Sequence, residues 1–163
     1  MALGLVPLAW VAWHRPRRAS WWWMAVAFAV SFAADLATLY WPHRYVSQVY
    51  PVLQAGLFVA ILLPRKYAEW VIAVVLVAAS VSIVGRDAAG LDVLLRMVAF
   101  GSVAGASYWL PAGPLRTALL VYFAGGALAW LGYVLAPGWT TYAGLQAARV
   151  VGIGCWCYAA RRA

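Results

Sequence analysis

The stretch SWWWMAVAFAVSFAADLATLY, residues 20–40, carries a single charged side chain, Asp35, in an otherwise apolar run. About 20 such residues cross the hydrocarbon of a bilayer as an α-helix. A carboxylate inside that hydrocarbon costs roughly 2.5–3.5 kcal/mol even on the lenient insertion scale. The run therefore predicts a membrane span, and Asp35 predicts a polar partner within it.

The rest of the chain repeats the pattern. Apolar runs at 1–13, 20–40, 45–63, 67–84, 91–110, 115–135 and 140–158 alternate with short breaks at PRK, GRDAAG, PAGP and APGW. Six of the runs approach bilayer length. The first, with Pro7 inside it, spans only about 20 Å at 1.5 Å per residue, so it thins the bilayer locally or lies in the interface. Its positive charge follows the apolar stretch, unlike a secretory signal. Lipid requires each segment to satisfy its own backbone, which selects helices over loops. The expected fold is an all-α polytopic integral membrane helix bundle, with six to seven transmembrane helices and short loops, as a single domain over 1–163.

Composition agrees. Of 163 residues 67% are hydrophobic and 10% charged, against about 25% charged in soluble domains. The net charge of +8 does not imply nucleic acid, because the basic residues sit in small groups between apolar runs, as membrane topology places them. Arg15, Arg17, Arg18, Arg65, Lys66, Arg116, Arg161 and Arg162 fall on one side of the expected layout, and only Arg44 and Arg86 on the other. The positive-inside rule then puts the C-terminus in the cytoplasm. Aromatics at the run ends, among them Trp13, Trp21 to Trp23, Tyr40, Trp70, Trp109, Trp139, Trp156 and Tyr158, predict interfacial belts.

Few polar residues lie deep. Asp35 and Arg96 sit at matching depth below the outer ends of their helices. Arg149, Gln54 and Gln146 lie nearer the middle. Asp35 is the one acid deep enough to balance an arginine, so it is expected to pair with Arg96 or Arg149, or to be shared by both. Such a cluster is either a structural lock or a polar site open to a small solute or ion.

Small residues recur at helical spacing. Ala29 and Ala33, with Ala25 and Ala37, form one stripe, Gly101 and Gly105 a second, and Gly144, Ala148 and Gly152 a third. Such faces let helices approach closely in lipid, so Gly101, Gly105, Ala29 and Ala33 are expected at helix contacts.

No catalytic, cofactor-binding or metal-binding residues are assigned. There is no glycine-rich phosphate loop, HExxH or GxSxG. The sole lysine, Lys66, lies in a loop, which excludes a buried Schiff base. His14 and His43 fall on opposite sides of the expected membrane. Cys155 and Cys157 point about 200° apart on a helix and cannot share an ion. The expected partners are the lipid bilayer and other membrane subunits or a second copy of the chain. The expected role is a structural or accessory subunit of a membrane assembly. A small-solute or ion transporter or channel built on Asp35, Arg96 and Arg149 is the alternative.

Overall fold

A computed structural model describes residues 2–40, 44–64 and 91–162, together with 67, 70, 73, 74 and 77. Among these the chain is all-helical, with no strand. A 3₁₀ turn, Ala2–Leu5, leads into α1, Val6–His14. Pro7 falls in the first turn of α1, where its missing N–H costs no hydrogen bond. Arg15 then closes the helix in the left-handed region, at φ 46° and ψ 58°, and its N–H donates to the Val11 carbonyl at 2.8 Å. That is a left-handed C-terminal cap made by a residue other than glycine.

The long helices follow: α2, Ala19–Tyr40; α3, Arg44–Leu62; and α4, Leu91–Tyr108. Their bounds lie within two residues of the expected runs. The helical positions 67, 70, 73, 74 and 77 fall inside the expected 67–84 run, and all five are exposed. The next helix, α5 (114–135), opens with Pro114 after Gly113 and contains a π-helical turn, Leu120–Ala124, between α-helical Pro114–Leu119 and Gly125–Leu135. Finally α6, Trp139–Arg161, returns alongside α5 after a tight turn at 136–138. Thr141 Oγ1 stabilises that turn by donating to the Gly138 and Ala136 carbonyls at 2.9 and 3.1 Å.

The helices close into a ring. Successive members α2, α3, α4, α5 and α6 pack as neighbours, and α1 bridges α6 back to α2. Among the described residues one helix, with its span at Pro114–Gly132, is long and apolar enough to cross a membrane; shorter apolar helices there are Leu3–His14, Ala19–Val30, Tyr50–Leu62 and Met97–Tyr108.

The centre of the ring is aromatic. Phe28 of α2 meets Phe58 of α3 and Tyr122 of α5 edge to face, both at 4.9 Å between ring centroids, and Trp156 of α6 at 5.6 Å. Phe123 meets Phe58 at 4.9 Å and Phe100 of α4 at 5.7 Å. Trp21 meets Trp156 at 5.3 Å. All seven side chains are buried. Trp21 and Trp156 thus correct part of the expected belt: proximity to a helix end did not put them at the surface, because each faces the interior of the ring.

The π turn explains how adjacent residues Tyr122 and Phe123 both reach this core. An ordinary helix turns about 100° per residue and fans neighbours apart. Here the Gly125 N–H reaches back to the Leu120 carbonyl, five residues away, and the widened turn lets both rings point inward.

Candidate functional site

The small-residue stripes divide sharply. Gly152 of α6 lies against the backbone of the π turn: a Cβ placed there would be 2.6 Å from Tyr122 Cβ and 2.9 Å from its Cα and N. One turn earlier on α6, Ala148 Cβ would lie 3.3 Å from a Cβ at Gly125. Both are close helix–helix contacts. Gly101 and Gly105 behave differently. Both are exposed, with nothing within 4 Å of a Cβ at either position. The helix contact expected of them is therefore not one within this chain, because they lie on the outer side of α4 and its inner side presents Phe100 and Val103. The α2 stripe fades outward in the same way. Ala25 is buried and Ala29 half-buried; Ala33 is exposed and Ala37 half-buried.

Of the expected polar group, three side chains are placed. Gln54 is 1% exposed, ten residues along α3 from Arg44, or about 15 Å from that end of the helix. Its Nε2 is buried with no hydrogen-bond partner. It lies one turn from Tyr50 on one side and from Phe58 on the other, and both are buried. Arg149 and Gln146 are half-buried on α6. The side chains of Asp35 and Arg96 lie outside the described residues, although both backbone positions are helical, and so does their expected pairing. His43, Arg65, Lys66, Glu69, Arg86 and Asp87 lie outside them as well.

Two serines of α4, buried Ser107 and exposed Ser102, are satisfied locally. Ser107 Oγ donates to the Val103 carbonyl at 2.6 Å and Ser102 Oγ to the Ala99 carbonyl at 2.7 Å. Gln54 is different. Leaving a buried amide donor unpaired costs about 1–3 kcal/mol. Trp10 and Trp156 also bury indole N–H groups without acceptors. An open hollow of about 400 Å³ at the α5–α6 turn is lined by Pro137, Gly138, Trp139 and Tyr142, with no charged group among them. Among the described residues no three of His, Cys, Asp and Glu gather closely enough to hold a metal ion. Cys157 is buried and Cys155 half-buried, both as free thiols.

Six of the described arginines collect at one end of the ring. The Trp21–Trp156 contact joins the start of α2 to the end of α6, and the first turns of α5 pack against α6. The Arg116 guanidinium lies 4.5 Å above the Tyr108 ring, joining α5 to the end of α4. Arg162 lies 4.4 Å above Tyr158. Arg15, Arg17, Arg18 and Arg161 are exposed at the same end.

The aromatic core was missed by sequence reasoning, which weighted aromatics at run ends. A signal was present: Phe28, Phe58, Phe100 and Phe123 all lie well inside their runs, while most exposed Trp and Tyr lie near the ends. The geometry defines an all-helical ring bundle with an aromatic centre and one basic end. The chain matches no family model, no curated protein and no solved structure.

Proposed function

We propose that this chain is a small multi-pass membrane protein that acts as a structural or accessory subunit within the bilayer, with its basic end and C-terminus in the cytoplasm. The observation that carries the reading is the position of its apolar surface. Val26, Leu53, Leu57, Val98, Leu128, Val150 and Val151 face outward from five different helices. A water-soluble monomer rarely tolerates so extensive an exposed apolar surface. The spanning stretch Pro114–Gly132 is only 33% buried, whereas the core helix of a soluble protein would be mostly buried. Exposed Trp13, Trp23, Tyr108, Trp109 and Tyr158 near the arginines fit an interfacial belt. Partners would be other membrane proteins or a second copy, meeting the lipid-facing helices; the outward Gly101–Gly105 face suits such an approach.

Two measurements test this. In a variant lacking Cys155 and Cys157, single cysteines at positions 17, 112 and 162 should label with an impermeant reagent only after permeabilisation, and one at 138 should label without it. Labelling of 112 in intact cells refutes the topology. Native mass spectrometry of the detergent-solubilised protein should then reveal a hetero-complex; an isolated monomer contradicts the accessory role.

One observation favours a second reading, a small transporter or channel. Gln54 offers an unpaired donor deep in the ring, and Arg149 and Gln146 are half-buried on α6. With Asp35 and Arg96 they would make a polar path, since intramembrane ionisable residues commonly mark one. Loss of solute flux in Asp35→Ala, with the fold retained when Arg96 or Arg149 is also neutralised, supports this reading over the first.

A further inference from the structure

We infer that the basic end of the ring is a binding surface for anionic phospholipid headgroups, built from arginines interleaved with interfacial aromatics. The inference rests on the membrane reading above and names its lipid partner.

Three segments meet at this end: 13–23, 108–118 and 156–162. They carry Arg15, Arg17, Arg18, Arg116, Arg161 and Arg162 and no lysine. The sequence holds four acids, Asp35, Glu69, Asp87 and Asp92, and none lies in these segments. These three segments therefore supply no acidic side chain to neutralise their arginines. The guanidinium fork matches phosphate oxygens two at a time, which an ammonium cannot do. Two of the forks are oriented by rings, Arg116 over Tyr108 and Arg162 over Tyr158. Cation–π stacking uses the face of the guanidinium and leaves its N–H edge free for an anion. Around them Trp13 and Trp109 are 85% and 87% exposed, and Trp23 is exposed with them. Indoles prefer the headgroup level of a bilayer. Rings and guanidinium groups thus share one level, where a lipid offers acyl chain below and phosphate above.

Charge complementarity selects the anionic headgroup. A zwitterionic lipid also has a phosphate, but its choline brings a cation to a surface already crowded with them. Each arginine close to an anionic membrane surface favours it by about fivefold.

The experiment reads lipid retained by the protein purified from bilayers of equal phosphatidylglycerol and phosphatidylcholine. Wild type should carry phosphatidylglycerol enriched about fivefold or more over the bulk. The exposed-site variant R17Q/R18Q/R162Q should return to within about twofold of the bulk ratio. Washing wild type in about 0.5 M salt should reduce the enrichment, because screening shortens the reach of exposed charges; this arm needs no variant to fold. Retention at the bulk ratio by wild type overturns the inference, as does unchanged enrichment in the triple variant. Bulk-ratio lipid together with a salt-labile copurifying protein would assign this end to an acidic protein surface and equally overturn it. A chain recovered in the soluble fraction refutes the membrane reading itself, whereas an embedded chain with bulk-ratio lipid refutes only the headgroup inference.

Discussion

Gly152→Ala is the substitution that the packing makes most informative. A methyl group at this position would sit 2.6 Å from Tyr122 Cβ and 2.9 Å from the Tyr122 backbone. Ordinary contact begins near 3.4 Å, so α5 and α6 must part by about 0.8 Å or more. Neither side can yield cheaply. The obstacle is the backbone of the π turn, and Tyr122 is held by Phe28 and Phe123, each at 4.9 Å. A gap of 0.5–1 Å forfeits about a quarter to a half of the dispersion energy across it. Overpacking of this kind costs about 1–3 kcal/mol. Alanine also gains helix propensity over glycine, about 1 kcal/mol. The control is on the same helix: Gly144 and Gly154 have nothing within 4 Å of a Cβ, so Gly144→Ala and Gly154→Ala receive the propensity gain without the clash. Unfolding in mixed micelles, followed by tryptophan fluorescence, should place Gly152→Ala about 1–3 kcal/mol below the two controls. If the three variants unfold together, α5 and α6 do not meet at Gly152, and the ring arrangement argued from that contact is wrong.

Further outcomes follow from the same geometry. Phe28→Ala removes the ring that touches Phe58, Tyr122 and Trp156, and on the proposed membrane reading should cost about 3 kcal/mol, the low end for such a deletion, since lipid would supply little transfer energy. Leu128→Ala, on an exposed site of α5, should stay within about 0.5 kcal/mol of wild type in the same assay. Gln54→Leu removes the unpaired amide and should raise stability by about 1–2 kcal/mol; a loss of stability would show that Nε2 has an acceptor in the working protein. Gly101→Leu and Gly105→Leu should leave the monomer's unfolding unchanged or slightly improved, since both positions open outward; a drop in monomer stability would contradict that placement. Loss of an oligomer on sizing would assign the face to a second chain.

The sequence by itself determined the helices. Long apolar runs broken by proline, glycine and charge leave the backbone little alternative, and the bounds of α2 through α6 lie close to those breaks. It also pointed to the basic end, because the short turns bring the segments bearing Arg15 to Arg18, Arg116 and Arg161 to Arg162 to one side. Tertiary structure alone decided which face of each helix looks inward. Gly101-x-x-x-Gly105 and Ala148-x-x-x-Gly152 have similar sequence spacing, yet only the second meets a neighbour. When nearly every position is apolar, hydrophobic periodicity no longer marks a buried side, and shape complementarity between helices must choose it. The π turn is of this kind: one widened turn in α5 brings Tyr122 and Phe123 inward together, and no residue in LVYFA announces it. The candidate polar site was half legible. Gln54, Gln146 and Arg149 stand out as polar residues in apolar runs, but whether a side chain about 15 Å along a helix faces the ring or its outside depends on the rotation of that helix about its axis, and packing against its neighbours sets that rotation.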